Sequence, residues 1–255
     1  MTNYYLSTPL MWNHSMEEIF QTAKEHHLGV EIFHQQVEFQ GTTTSEIKSL
    51  IKKYKREVFV HAFSWDLNLS SLQLEVREVA IKQTKKSIDF ARSIGAKDVT
   101  IHPGRMSIHL DVESYDQYLY ESMKELMSYA NACNQPISFE IMEPIGREFV
   151  TTRQALERVA GDLWEEMYVT LDLAHCEDEA MIEEYLLHLP RIRKLHISNH
   201  QGSTYHTKLA EGDLDYQALK SVIVSTGLPI VIEGMDTGLE KQLLKENIMY
   251  LEENY

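Results

Sequence analysis

Cysteine is nearly absent. Cys133 and Cys176, the two in 255 residues, are too few for the disulfide framework of a small secreted domain. No stretch approaches the roughly 18–20 continuous apolar residues of a membrane span. Met1-Thr-Asn-Tyr-Tyr opens neither a signal peptide nor a transit peptide. A cytoplasmic protein with no membrane association is expected. Positive charge is scarce too: 24 Lys and Arg face 39 Asp and Glu, a formal charge of −15 at pH 7. That balance disfavours duplex DNA as a partner, although a local basic groove is compatible with it. Proline, glycine and serine nowhere gather into a linker, and there is no low-complexity tract or sequence repeat. With 43% hydrophobic and 25% charged residues, the composition suits one packed domain over residues 1–255. No residue pattern specifies an oligomeric state.

What is present is an alternation of two hydrophobic periods. Short β-rich runs occur at Tyr4–Ser7, Val30–Phe33, Val58–His61, Val99–His102, Ile137–Glu140, Tyr168–Asp172, Ile192–Ile197 and Ile230–Glu233. Amphipathic stretches fall near Ser15–His27, Ser45–Tyr54, Leu72–Ile94, Ser114–Cys133, Arg153–Ala160, Asp178–Leu189, Tyr216–Ser225 and Leu239–Glu253. Eight strands alternating with eight helices imply right-handed crossovers and a parallel sheet, and the spacing favours a closed (β/α)8 TIM barrel, an α/β fold, over an open sheet. Gly29, Gly95 and Gly227 stand where helices give way to strands, and a positive φ is expected at each.

The strands end in ligand chemistry. His61, His102, Glu140, Asp172, His196 and Glu233 each sit where a hydrophobic run stops. In a parallel barrel all such ends open onto one face, so these residues converge on one mouth. Imidazoles and carboxylates hold borderline divalent cations, and a cation offsets the cost of burying a carboxylate. A lone histidine at a strand end is more often a hydrogen-bonded structural group; six such residues at one end reverse that reading. Strand phase puts Ser138 and Glu140 on one face and Ile137 and Phe139 on the other. Asp172-Leu-Ala-His175 presents a carboxylate and an imidazole from one turn, and His102-Pro-Gly104 has a glycine that permits close backbone approach to a ligand. His206 precedes the acidic loop Glu211-Gly212-Asp213-Leu-Asp215, where Asp215 is either a functional acid or a helix cap. His14, His26, His27, His34, His109 and His188 lack strand-end placement and read as surface or packing residues; His200 stays open.

These motifs, with Gly29-Val-Glu31 and Asp66-Leu-Asn68, resemble the xylose isomerase-like superfamily of TIM barrels, which joins sugar and sugar-phosphate isomerases and epimerases to the endonuclease IV family of apurinic-site nucleases (AP endonuclease family 2). The likeness spans essentially the whole chain. In the isomerases and epimerases it implies a divalent cation (Mn, Zn, Co or Fe) on Glu140, Asp172, His196 and Glu233, with the two glutamates also acting as catalytic acid and base through an enediolate. It further implies that His175 orients a substrate oxygen and that Glu31 contacts a sugar hydroxyl. The alternative is an endonuclease IV-like zinc-dependent phosphoester hydrolase with a larger ligand set: His61, His102, Glu140, Asp172, His175, His196, His206 and Glu233. One acid of that set is absent, since Thr204 stands two residues before His206 where the pattern has Asp.

Glu143-Pro follows Glu140 closely, but Glu140 keeps the better strand phase and Glu143 is expected to be dispensable. Arg105, Arg147 and Lys208 lie in loops that would meet a phosphate on the substrate, or are solvated charges. The leading expectation is therefore an isomerase or epimerase acting on a small-molecule sugar or sugar phosphate; a barrel that binds metal or sugar without turnover is the non-enzymatic alternative.

Overall fold

Strand ends meet because the sheet closes. In the computed structural model, which describes residues 3–108, 112–189 and 191–255, eight parallel strands form a closed barrel. They are β1 (Tyr4–Ser7), β2 (Gly29–Phe33), β3 (Val58–His61), β4 (Val99–Ile101), β5 (Ile137–Glu140), β6 (Val169–Asp172), β7 (Ile192–Ile197) and, after an antiparallel pair β8 (Asn199–Gln201) and β9 (Thr204–Thr207), β10 (Ile230–Ile232). Their order round the barrel is β1-β10-β7-β6-β5-β4-β3-β2. The helices are α1 (Met16–Glu25), α2 (His34–Phe39), α3 (Thr44–Tyr54), α4 (Leu74–Ile94), α5 (Val112–Cys133), α6 (Arg153–Ala160), α7 (Glu179–His188), α8 (Tyr216–Ser225) and α9 (Gln242–Asn254). His109 lies outside the described residues.

Local chemistry accounts for many of the boundaries. Ser15 with Glu18 and Thr43 with Glu46 form capping boxes that start α1 and α3. Asp215 caps α8, accepting from the backbone N–H of Gln217 and Ala218, so its role is structural. Gly95 and Gly227 have φ of 73° and 62°, as expected. Gly29 does not take a positive φ; the left-handed residue in that turn is His27, with φ 59°. Gly29 is needed for space instead, because a Cβ there would lie 2.1 Å from the Tyr5 ring.

The register aligns the interior faces. Tyr5 pairs with Gly29 and Val231, Glu31 with Phe59, His61 with Thr100, Thr100 with Ser138, Glu140 with Thr170, and Asp172 with His196. Tyr5, Phe59 and Val231 form a small apolar cluster separate from the large core between strands and helices. This cluster is the barrel floor, and Tyr5 meets Phe59 edge-on with ring centroids 4.7 Å apart. Outward residues such as Val60, Ile101, Phe139 and Leu195 belong to the main core.

Substituting Gly29→Ala should force the Tyr5 ring into Phe59 and cost about 1–3 kcal/mol. Thermal melting should register this as a fall of roughly 2–4 °C per kcal/mol; an unchanged melting temperature would mean that the ring yields freely.

Candidate metal centre

Four strands that are neighbours in the barrel, β5, β6, β7 and β10, carry one donor each at their C-terminal ends: Glu140, Asp172, His196 and, one residue beyond β10, Glu233. One ligand atom from each lies within 4.8 Å of the others. Two further groups share members with this one. His61 and His102, from β3 and just past β4, join Glu140; His175 and His206, from the turn after β6 and from β9, join Asp172. All eight ligands expected from the sequence thus come together.

The contacts inside the centre bring imidazole nitrogens and carboxylate oxygens against one another. His61 Nε2 and His102 Nε2 face each other at 2.9 Å, and His102 Nε2 lies 3.3 Å from Glu140 Oε2. His196 Nδ1 lies 2.5 Å from Glu233 Oε2, yet both atoms, with Glu140 Oε2, Asp172 Oδ2 and His175 Nε2, are buried without a hydrogen-bond partner among the described residues. Buried polar atoms are rarely left so, and N and O donors of this kind suit a borderline divalent cation. The residues therefore fit the cation that the fold family implies. Second partners orient the rings: His61 Nδ1 donates to Ala62 O at 3.0 Å and His175 Nδ1 to Ile141 O at 2.8 Å, which directs each Nε2 inward. Solvent reaches the centre at His102 and His206, whose side chains are 30% and 32% exposed.

Beneath this centre lies a polar layer that includes Glu31 and two residues the sequence reading did not single out, Lys194 and Asp98. Lys194, fully buried, donates to Asp98 Oδ2 at 2.8 Å and lies 3.3 Å from Glu31 Oε1. Asp98 Oδ2 also accepts from Ser138 Oγ at 2.6 Å, and Ser138 Oγ meets Thr170 Oγ1 at 2.7 Å. Glu31 Oε2 lies 3.0 Å from His196 Nε2. Burial would lower Lys194, but Asp98 and Glu31 more than offset it and raise its pKa. Burial alone would raise Glu31, yet His196 and Lys194 hold it below the ordinary carboxylate range. The signal for Lys194 and Asp98 was strand phase: each lies two residues from an interior side chain, His196 and Thr100 respectively.

The ligand layer itself is strongly coupled. Burial raises Glu140, but His102, His61 and His196 hold it well below the usual range. Asp172 is pushed well above it by burial and by Glu233 and Glu140, despite His175. Burial lowers His175, whereas Asp172, Glu140 and Glu143 outweigh that and push it up to about 9.

Other expected contacts lie elsewhere. Glu31, expected to meet a sugar hydroxyl, is fully buried below His196. Lys208 is paired on the surface with Glu246 at 2.6 Å and Glu211 at 3.2 Å. Arg105 and Arg147 are exposed on loops stitched together by the Arg105–Glu148 bridge and by Met106 N donating to Arg147 O. Gly104 makes room for the Ser70 backbone, 2.3 Å from where its Cβ would be, rather than for a ligand. His200 lies outside the three groups, with Nε2 donating to Cys176 O at 3.1 Å.

The family model described as xylose isomerase-like TIM barrel matches residues 20–254. The chain belongs to that family. Among relatives of this xylose isomerase-like barrel, an uncharacterized protein of Methanocaldococcus jannaschii is 27% identical over 231 residues, covering 87% of this chain and 84% of its own. A probable endonuclease 4 of Staphylococcus carnosus is 24% identical over 209 residues, covering 72% and 69%. The crystal structure of a D-tagatose 3-epimerase-like protein superposes with a TM-score of 0.79 at 20% identity, covering 98% of each chain. At that identity the superposition establishes the shared fold.

Removing the buried cation by Lys194→Met should leave Glu31 and Asp98 uncompensated and cost about 3–5 kcal/mol, measured by denaturant unfolding; the Glu31→Gln, Lys194→Met double variant should be less affected than the single. Proton release offers a second check. In the metal-free protein His175 holds its proton up to about pH 9, so a cation must displace it at pH 7. Affinity should rise roughly tenfold per pH unit until that proton is gone, and calorimetry in buffers of different ionisation enthalpy should detect its release. The same raised pKa makes stabilisation by His175 fully present below its unfolded value near 6.5 and lost as pH climbs through 9.

Proposed function

We propose that this xylose isomerase-like barrel is a metal-dependent isomerase or epimerase of a small sugar or sugar phosphate. The observation that carries the reading is the placement of Glu140 and Glu233 at the two ends of the four-donor group, with Asp172 and His196 on the strands between them. A bound cation would supply Lewis-acid stabilisation of the negative charge that develops on substrate oxygens. One glutamate then takes the proton from the carbon beside the carbonyl, giving an enediolate, and the other returns a proton, to the opposite face of that carbon in epimerisation or to the neighbouring carbon in isomerisation. His61, His102 and His196 surround Glu140 and favour its charged, proton-accepting form.

The rim supports a sugar over a duplex. Trp12, Phe39 and Trp65 follow β1, β2 and β3, and Trp12 lies 5.5 Å from Phe39 and 5.1 Å from Trp65 between ring centroids. Phe39 and Trp65 are largely exposed, offering an apolar face to the C–H side of a sugar ring. The charge of −15 opposes a polyphosphate backbone.

Phosphoester hydrolysis is the second reading. It is favoured by the groups His61–His102–Glu140 and Asp172–His175–His206, which supply more imidazole than a one-cation isomerase uses.

The test is a screen of ketoses and aldoses, free and phosphorylated, in D2O with manganese, cobalt or zinc. Deuterium should enter at the carbon beside the carbonyl, and Glu140→Gln and Glu233→Gln should each lower kcat by about 10²–10⁴. Cleavage of phosphoesters or apurinic sites without deuterium exchange would transfer the assignment to the hydrolase.

A further inference from the structure

Beside the four-donor centre, the group Asp172, His175 and His206 has two buried donor atoms without a hydrogen-bond partner among the described residues, Asp172 Oδ2 and His175 Nε2, 3.6 Å apart. Because His175 Nδ1 donates to Ile141 O, the neutral ring keeps its lone pair on Nε2. Three donors leave a zinc-like cation one short of the four it prefers in a closed site. Thr204, near in sequence, is exposed and offers only a neutral hydroxyl. Glu143 Oε2 lies nearer the need: it is buried, has no hydrogen-bond partner among the described residues, and sits 3.3 Å from His175 Nε2.

We propose that Glu143 supplies the fourth donor to the cation that the hydrolase resemblance implies at Asp172, His175 and His206, in place of the acid missing at Thr204. A carboxylate and an imidazole lone pair at 3.3 Å repel unless a proton or a cation lies between them. A proton on Nε2 faces Glu143 Oε2 at 3.3 Å and lies farther from Asp172 Oδ2, at 3.6 Å between the heavy atoms. A cation satisfies Asp172 Oδ2 as well, and so accounts for all three unpartnered atoms. Glu143 lies outside the tight group of three, so joining it requires a change of side-chain rotamer, and its side chain is 17% exposed at the start of the loop after β5. Strand phase made Glu143 look dispensable because it stands past the strand end; the course of the loop returns it to the mouth. The site stands independently of which reaction the centre performs, since it concerns cation binding alone.

Chelator-stripped protein titrated with Zn²⁺, with bound metal counted after desalting, tests this directly. Glu143→Gln and His206→Asn should each weaken the same one binding step by about 10–100-fold and leave the other steps intact, and the double variant should lose no further ion. Glu143→Lys, which places an ammonium beside the site, should abolish that ion while metal-free melting reports an intact fold. Parent-like loading of either Glu143 variant overturns the proposal, leaving Glu143 as an ion-pair partner of protonated His175. Loss of every ion from Glu143→Gln overturns it equally, because the second site would then not be separable from the first.

Discussion

Among the described residues, the barrel interior buries five carboxyl groups, Glu31, Asp98, Glu140, Asp172 and Glu233, together with the ammonium of Lys194. A lone buried carboxylate is costly, so the arrangement is stable only if each acid has a partner of opposite sign or takes up a proton. Below the ligand layer the partner is Lys194, which bridges Glu31 and Asp98 and sits 4.8 Å above the Phe59 ring of the apolar floor. Within the upper layer the partners are imidazoles, and a cation there would satisfy several of the remaining unpartnered atoms at once.

That constraint organises the barrel into layers. Tyr5, Phe59 and Val231 close the bottom, hydroxyls and the Lys194 network fill the middle, and the side chains that could hold a metal occupy the top. Glu31 and His196 link the two upper layers at 3.0 Å, so the charge balance of the middle layer reaches the imidazole that faces Glu233. Loops then trim the mouth. Asn199 ties the segment after β9 to β8 by donating to Leu209 O and Leu214 O, and Gly212 packs where its Cβ would strike the Asn199 amide. His206 has a φ of 58°, a conformation that costs a non-glycine residue of order 1–3 kcal/mol, with Ser198 Oγ 3.0 Å from its Nδ1.

Legibility followed periodicity. The strand ends were readable because an apolar run that stops on His or Glu, as in Val58-Phe-Val-His61 and Ile137-Ser-Phe-Glu140, marks both a period of two and its interruption. The β8–β9 pair was not, since Asn199-His-Gln and Thr204-Tyr-His-Thr carry no apolar alternation, and α2 is only six residues long. Gly29 was recognised as special for the wrong reason: a glycine between helix and strand suggests a positive φ, whereas here the Tyr5 ring occupies the space of its missing Cβ. Glu31 was expected to meet a sugar hydroxyl and lies fully buried 3.0 Å from His196, because depth along the barrel axis has no sequence signature.

By itself, the sequence determined the alternation of strands and helices, hence the closed parallel barrel, and the convergence of eight histidines and carboxylates, because those follow from local period and from the rule that parallel strand ends share a face. Tertiary structure alone decided how the ligands divide into groups around Glu140 and Asp172, that Lys194 lies between Glu31 and Asp98, and that Glu143 returns to face His175. Those depend on barrel closure, register and loop course, which bring Lys194 within 2.8 Å of Asp98, 96 residues away in the chain, a separation over which local sequence pattern carries no information about contact.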